Sequence, residues 1–231
     1  SMPSALAHVF TGCDAVEQGA HVQPRAAGQY REQARLVRPL DLHLRLGRPA
    51  RGGIDVGAVD MAEQAVRQGK SELFLTDEHV SEDRIAIAGV LAAAAVHTHL
   101  VRRGLRSYAS INVRSAECLD THYYAVLIGV GATTVNAYLA EAAIVDRQRR
   151  GLFGDLSLDE CLKRHRHAIE EGLLKIMSKM GIAVISSYRG GYNFEAVGLS
   201  RSLVNDLFPG MPAKISGEGY NSLHYSALVR H

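Results

Sequence analysis

One short stretch of the chain holds the side chains best suited to binding an anion. Arg189 offers a planar fork of donors that suits carboxylate or phosphate, and Tyr192 offers a flat aromatic face. Paired glycines permit positive φ and the close approach of a partner to the backbone. The members of the stretch are Tyr188, Arg189, Gly190, Gly191, Tyr192 and Asn193.

The same stretch also suits a purely structural role. Glu195 lies near Arg189 in sequence and can pair with it, while Tyr188 and Tyr192 can hold the segment against its own or a neighbouring domain. No general base or nucleophile–base pair accompanies Arg189, which makes catalysis the weaker alternative. We therefore predict that residues 188–193 form a domain-contact loop, and we assign no catalytic, cofactor-binding or metal-binding residue.

The glycines at positions 129 and 131 are arranged like the start of a dinucleotide-binding fingerprint. The third glycine of that motif is missing, the preceding residues are predicted helix rather than strand, and no Lys-Ser/Thr pair of a phosphate loop follows. The pattern instead predicts a tight turn between two helices, with Thr133 or Thr134 as the N-cap of the second helix.

Two pairs of histidines, His97 with His99 and His165 with His167, are each separated by a single residue. On a helix, side chains at this spacing point about 200° apart, so a pair does not converge on one metal ion. No carboxylate stands at a supporting spacing. We predict polar histidines on helix surfaces, with a metal site as the alternative.

The three cysteines, Cys13, Cys118 and Cys161, stand far apart and form no CxxC pair. This spacing excludes a zinc ribbon and the thiolate set of most iron–sulfur sites, and an odd number argues against a disulfide framework. The pattern fits a reducing, cytoplasmic setting.

The composition of the 231 residues is that of a globular protein, with 47% hydrophobic and 22% charged residues. A net charge of +2 gives no support for nucleic-acid binding, which normally shows as a clustered basic surface. The apolar stretch at residues 85–96 is too short for a membrane span, which needs about 20 residues. We predict no nucleic-acid and no membrane partner.

Alternating strand and helix patterns predict an α/β protein with a mostly parallel sheet and flanking helices. The predicted strands are residues 40–46, 73–76, 108–113 and 182–185. The predicted helices are residues 55–68, 83–103, 121–128, 133–147, 158–181 and 200–208. Ser157 and Glu160 form a capping box at the start of the longest helix, and Gly172 is where that helix could break.

The first part of the chain differs from the rest in having scattered arginines and prolines. We predict a poorly defined N-terminal segment at residues 1–39, in which Ser1 and Met2 are a cloning remnant, and a loop at residues 48–53. Residues 40–231 are predicted to form the α/β domain.

Several long motifs in a fixed order give the chain a family resemblance. They are AAVHTHLVR at residues 94–102, DTHYYAVLIG at 120–129, GATTVNAYL at 131–139, GLLKIMSKMGI at 172–182 and SYRGGYNFEAVGLS at 187–200. Together they closely resemble the central domain of the large (alpha) chain of bacterial glutamate synthase. The resemblance runs from about residue 73 to residue 219 and is gapped back to about residue 40.

The resemblance implies a place inside a much larger enzyme of nitrogen metabolism and ammonia assimilation. In that family an amidotransferase domain releases ammonia from glutamine, and an FMN-containing barrel with an iron–sulfur cluster adds it reductively to 2-oxoglutarate. The central domain joins the two and is described as an incomplete, barrel-like α/β domain without its own cofactor. FMN and the iron–sulfur cluster are therefore expected only in the intact parent enzyme.

Departures from the family pattern limit what the resemblance transfers. The chain has no match to the amidotransferase nucleophile, the FMN domain, the cluster cysteines or the family's Thr-Asn-Pro-Pro run, which in the family lies near the internal tunnel that carries ammonia between the two domains. Residues 50–57 are shortened against the family pattern. Our hypothesis is a non-catalytic scaffold domain whose partners are the amidotransferase and FMN domains, and which self-associates when isolated. The alternative is a stand-alone small α/β enzyme or flavin-binding protein built from the same half-barrel.

Overall fold

A computed structural model describes residues 40–43, 56–78, 80 and 85–230 of the chain. Its strands are β1 Leu40–His43, β2 Glu72–Thr76, β3 Ser110–Arg114, β4 Thr134–Asn136, β5 Val197–Leu199 and β6 Ile215–Glu218. Its helices are α1 Val56–Arg67, α2 Gly89–Arg102, α3 Thr121–Gly129, α4 Tyr138–Arg149, α5 Leu158–Lys179, α6 Ile185–Tyr188, α7 Arg201–Leu207 and α8 Tyr220–Arg230. The predictions for residues 1–39, 44–46 and 48–53 lie outside the described residues.

The core is a parallel sheet in the order β1-β2-β3-β4. The two central strands are buried on both faces, and Leu73, Leu75, Ile111 and Val113 are at most 2% exposed. Strands of this kind carry nearly continuous apolar runs, which explains why the pattern at residues 73–76 predicted β2 correctly. Within the described residues the sheet remains open, and this confirms the prediction of an incomplete barrel-like α/β domain.

Helix α2 packs closely on the sheet because its inner face is built from small residues. Ala92, Ala93, Ala94 and Ala95 are all buried. The helix begins at Gly89 rather than at residue 83, and the side chain of Glu117 caps it from another segment by accepting from the Gly89 amide at 2.9 Å. The sequence around residue 83 holds no sign of this remote cap.

A carboxylate ties α1 to α2. Glu63 accepts from Nε2 of His99 at 2.5 Å, from Nε of Arg67 at 2.8 Å and lies 3.1 Å from Nε of Arg103. The hydrogen bonds from His99 and Arg67 hold the pKa of Glu63 below its usual range, so the group stays charged at neutral pH.

The prediction of one helix over residues 133–147 is wrong at its start. Residues 134–136 form β4, which pairs in parallel with β3, and the helix begins only at Tyr138. The turn at Gly129–Gly131 therefore joins a helix to a strand, and Thr133 and Thr134 are not N-caps. The β-branched run Thr133-Thr134-Val135 is the signal for a strand that the apolar content of the segment concealed.

The prediction of a strand at residues 182–185 is also wrong. Gly181, with φ of 70°, ends α5, and the Ile182 amide bonds back to the carbonyl of Met177 at 3.0 Å. Val184 is 48% exposed, whereas Ile185 and Tyr188 are buried three residues apart, which is helical spacing. The loop at residues 189–193 therefore follows a short helix and not the end of a buried strand.

Helix α5 runs without a break through Gly172. Its N-cap is Ser157, as predicted, but Glu160 pairs with Arg164 at 2.8 Å, so only half of the capping box forms. At Gly172 the helix crosses the start of α3, and a Cβ atom there would lie 2.5 Å from Cγ2 of Thr121. The glycine is needed for this crossing.

The final part of the described chain adds a second, parallel strand pair. Strands β5 and β6 pair with an irregular register between Val197 and Leu199, and α7, capped by Ser200 as the prediction of a helix at residues 200–208 requires, lies between them. Buried Leu203, Val204 and Leu207 of α7 join the main core.

Replacing Gly172 with Ala tests the α3–α5 crossing. Helix propensity alone favours Ala by about 1 kcal/mol, but forcing a methyl group against Thr121 costs about 1–3 kcal/mol. We expect a net loss of stability in urea unfolding. The double variant Thr121→Ala/Gly172→Ala should recover it, and a stabilising Gly172→Ala alone would contradict the tight crossing.

Candidate functional site

The loop at residues 189–193 is fastened to the end of α3. The Gly190 amide donates to the carbonyl of Ile128 at 3.1 Å, and the Tyr192 amide donates to the carbonyl of Gly129 at 3.1 Å. Carbonyls at the end of a helix lack partners within it, and here the loop supplies the donors. Gly190 has φ of 69°, which confirms the predicted use of a glycine in this reversal.

Tyr192 anchors the loop to α2 and α7. Its hydroxyl lies 2.9 Å from Oγ1 of Thr98, which itself donates to the carbonyl of Leu207 at 2.8 Å. Because the Thr98 proton is used on Leu207, Tyr192 donates to Thr98. Its ring meets those of His97 and Phe208 edge-on, at centroid distances of 6.1 and 6.3 Å.

The backbone of Tyr192 is held in a strained conformation. Its φ of 49° is the only left-handed value outside glycine among the described residues. Such a conformation costs about 1 kcal/mol or more and persists where surrounding contacts impose it. The hydrogen bonds and ring contacts of Tyr192 impose this conformation. At the start of the segment Tyr188, 1% exposed, is a fully buried ring.

Gly129 and Gly131 make room for aromatic rings rather than for phosphate. A Cβ atom on Gly131 would lie 2.3 Å from Cγ of His97, and one on Gly129 would lie 2.3 Å from Cε2 of Phe194. The rejection of a dinucleotide fingerprint at these glycines therefore has a direct physical basis.

The side chain of Arg106 connects neighbouring elements by donating hydrogen bonds to neutral acceptors. Its Nε donates to Nδ1 of His97 at 3.0 Å, and its Nη2 donates to the carbonyl of Gly131 at 2.8 Å and to Oγ1 of Thr133 at 3.2 Å. Its Nη1 donates to the carbonyl of Ala109. Burial and then the charge of Arg189 lower the pKa of Arg106 to about 10, so it stays cationic at neutral pH.

His97 is half-buried, so the prediction of a surface histidine is wrong for it. Burial, followed by the charge of Arg106, lowers the pKa of His97 to about 4. The ring is therefore neutral at pH 7, and because Nδ1 accepts from Arg106, the network assigns the proton to Nε2. His99 instead bonds Glu63, so the two histidines serve different partners.

Arg189 does not pair with Glu195 as predicted. Glu195 lies 3.6 Å from Nζ of Lys214 instead. The Nε of Arg189 is buried without a hydrogen-bond partner, and burial lowers the pKa of the guanidinium. Arg189 and Arg106 thus place two cations close together, and their bonds within the described residues include no carboxylate.

A second polar cluster, which the sequence analysis missed, lies at the carboxyl ends of β2 and β3. Asp77 accepts from Oγ of Ser115 and from the Ala116 amide, both at 2.9 Å. Next to it, Glu78 pairs with Arg114 at 2.7 Å, and Arg114 stacks over the ring of Tyr138. Polar residues directly after two buried strands were the available signal.

Glu117 extends this cluster to the start of α2. Besides the Gly89 amide, it accepts from the hydroxyl of Tyr123, whose pKa is raised by burial and by that carboxylate. The N-terminus of α2, where an anion is favoured, is thus occupied by the carboxylate of Glu117.

The described cysteines are inert. Cys118 and Cys161 are both buried and free, and burial followed by the charge of Asp120 raises the pKa of the Cys118 thiol. Over the described ranges no three His, Cys, Asp or Glu side chains come together in the way a metal site requires. Nor does any helix there have the length and apolar character needed to cross a bilayer.

Comparison with known proteins matches residues 57–200 to the family model of the glutamate synthase central domain. The NADPH glutamate synthase large chain of Azospirillum brasilense is 60% identical over 169 residues, 73% of this chain and 11% of that protein. The same chain of Bacillus subtilis (strain 168) is 40% identical over 181 residues, 77% of this chain and 12% of the relative. The chain therefore spans about a tenth of the length of these relatives.

More distant proteins extend the comparison. NADH glutamate synthase of Saccharomyces cerevisiae is 34% identical over 178 residues, 74% of this chain and 8% of that protein. Among solved structures, a mutant flavocytochrome b2 with pyruvate bound aligns with 86% of this chain and 47% of its own, at a TM-score of 0.49 and 13% identity.

Removing the Tyr192 hydroxyl tests the anchor between the loop and α2. We expect Tyr192→Phe to cost about 1 kcal/mol of stability. Thr98→Val should cost about 1–3 kcal/mol, because the Leu207 carbonyl also loses its donor. In urea unfolding, the double variant should lose less than the sum of the two. Strict additivity would show that the hydroxyls do not interact.

The neutral His97 ring predicts an acid-sensitive fold. The pKa of His97 is about 4 in the folded state against 6.5 for the free side chain. The unfolded chain therefore binds the extra proton first, and stability, complete above pH 6.5, falls as the pH is lowered toward 4. Nε of Arg106 bonds the ring and Tyr192 meets it edge-on, so protonation would place a second positive charge directly beside Arg106.

His97→Asn should flatten this part of the pH profile, because an amide oxygen can accept from Arg106 without titrating. The measurement is thermal unfolding at several pH values across the window, with His167→Asn on the exposed side of α5 as the matched control. An unchanged slope in His97→Asn would assign the acid sensitivity to another group.

Proposed function

We propose, from the premise that this chain belongs to the glutamate synthase central domain family, that it acts as a non-catalytic scaffold domain of a glutamate synthase large chain. In this role it joins the amidotransferase domain, which releases ammonia from glutamine, to the FMN domain, which uses that ammonia to make glutamate from 2-oxoglutarate. The observation that carries the proposal is that the carboxylates of Asp77 and Glu117, at the carboxyl ends of β2 and β3, are engaged by the chain's own hydrogen bonds.

In α/β folds the carboxyl ends of the strands are where substrates and cofactors usually bind. Here Asp77 is engaged by Ser115 and Ala116, and Glu117 by Gly89 and Tyr123. Groups that already bond each other are not available to bind or activate a substrate. The edge that would hold an active site therefore works as an internal brace.

The same edge is a poor fit for a flavin phosphate. Asp77, Glu78 and Glu117 place three carboxylates at the ends of β2 and β3, and one of them occupies the amide end of α2. A phosphate group would meet like charges where it needs amide donors. We therefore assign FMN and the iron–sulfur cluster to other domains of the intact enzyme and none to this chain.

Exposed apolar side chains support a position between other domains. Val197 of β5 and Ile215 of β6 are register partners, 65% and 62% exposed. On α8, Tyr225 and Val229 are 68% and 67% exposed. Such a surface fits a domain contact in the large chain, and it would also let the isolated domain self-associate.

The rival hypothesis of a stand-alone flavin-binding or small α/β enzyme is not favoured. The relatives of this chain are large chains of glutamate synthase. Residues 57–200 match one domain family of those proteins. A cytoplasmic location accords with the free thiols of Cys118 and Cys161.

The test is to purify the chain, incubate it with excess FMN, remove the unbound flavin and record the absorbance spectrum. We expect no flavin bands near about 370 and 450 nm and no glutamate formation from glutamine and 2-oxoglutarate. An intact glutamate synthase large chain, treated in parallel, is the positive control. Stoichiometric flavin retention or glutamate formation by this chain would overturn the scaffold role.

A further inference from the structure

We propose that Arg189 forms an ion pair with a carboxylate side chain supplied by another domain of the glutamate synthase chain. The inference rests on the proposed scaffold function and names the contact that the loop at residues 189–193 makes. It identifies the partner by its chemistry, as an aspartate or glutamate, and its position as the surface formed by Arg189 beside Arg106 and His97.

The first support is that the loop holds Arg189 in place before any partner arrives. The residues on its C-terminal side are fixed to α3 by the bonds Gly190–Ile128 and Tyr192–Gly129, both at 3.1 Å. On its other side, the Arg189 amide bonds to the carbonyl of Ile185 at 2.9 Å. Part of the entropy cost of a contact is therefore met by folding, which favours a specific interface over a chance ion pair.

The second support is a local excess of positive charge. Arg106 donates to His97, Gly131, Thr133 and Ala109, which are all neutral groups. Arg189 has no hydrogen bond from its Nε, and in the described part of the chain no acidic side chain pairs with it. The nearest acidic residue in sequence, Glu195, lies against Lys214 instead.

The third support is the cost of leaving such a charge alone. A partly buried cation without a counter-charge destabilises the fold unless it gains a partner on assembly. The protonated Nε2 of His97 lies on the same side, because a Cβ on Gly190 would be 3.0 Å from that nitrogen. The donors of Arg106 are used within the domain, whereas Nε of Arg189 has no acceptor, so the Arg189 guanidinium is the group here that suits a carboxylate.

Another domain is the source that the comparisons favour. The relatives are about nine times longer than the segment they share with this chain, so most of the surface that this domain meets in them belongs to other domains. Contacts between domains of one chain commonly cover about 600–1,500 Å² and are more polar than permanent interfaces. An arginine whose backbone is fixed by the loop and whose side chain is only partly buried fits such a surface.

The experiment compares Arg189→Gln in this chain and in a full-length glutamate synthase large chain that contains it. In the isolated chain we expect the melting temperature to rise by about 2–4 °C, since an unpaired, partly buried charge is removed. In the full-length chain we expect the transition of this domain to fall by a similar amount. Arg189→Lys, which keeps the charge, should recover part of that loss.

Arg150→Gln is the matched control, because it removes one positive charge from an exposed i,i+4 pair with Asp146. It should leave both melting temperatures nearly unchanged. A fall in the isolated chain with Arg189→Gln would show that Arg189 stabilises its own domain, and no change in the full-length chain would show that it has no interdomain partner. Either result overturns the proposal.

A free anion is tested as the rival source. If sodium glutarate stabilises the isolated chain more than sodium chloride of equal ionic strength, and Arg189→Gln abolishes the difference without affecting the full-length chain, the site serves a free carboxylate and the interdomain pair is wrong. Failure of the scaffold role has a different result, since it would show as flavin retention or glutamate formation by the isolated chain rather than as a change in melting temperature.

Discussion

The set of hydrogen bonds made by Arg106 is the interaction on which the rest of the described fold depends. One side chain holds together α2 through His97, the start of β3 through Ala109 and the α3–β4 turn through Gly131 and Thr133. All its acceptors are neutral, so no counter-charge among them offsets the positive charge of this partly buried guanidinium. Burial together with this cation keeps His97 neutral, and Arg189 brings a second positive charge close to Arg106.

The two ends of the parallel sheet differ in charge. One end carries the acidic side chains that follow β2 and β3, and the other lies beside the loop at residues 189–193. At the carboxyl ends of β2 and β3, acidic groups are neutralised or hydrogen-bonded within the chain, as Asp77 and Glu117 show. At the opposite end of the sheet, before β3 and β4, the charge is positive and only partly compensated. In the proposed scaffold role this difference would present a different surface to each neighbouring domain.

The sequence was enough to predict the central strands β2 and β3 and the long helices, since apolar runs and periodicity reflect burial directly, but it missed β4. It misassigned residues 182–185, because the Ile-Ala-Val-Ile run has strand composition, whereas in the fold it follows the turn at Gly181 and only Ile185 enters a short helix. The role of Arg106 could not be predicted, because its acceptors are two carbonyls, a hydroxyl and a ring that the fold brings together from positions up to 27 residues away. The prediction that Arg189 pairs with Glu195 was wrong for a related reason, because proximity in sequence does not fix the direction in which a side chain points.

The two glycine–ring contacts limit how sequences of this fold can diverge. Gly129 lies against Phe194 and Gly131 against His97, so in each pair the absence of one side chain is what admits the other. A lineage cannot enlarge either glycine until the facing ring has become smaller, and a smaller ring leaves a cavity until the glycine is enlarged. Gly129 and Phe194 can therefore change only together, whereas Gly131 stays glycine even beside a smaller ring, because its φ of 121° disfavours any side chain.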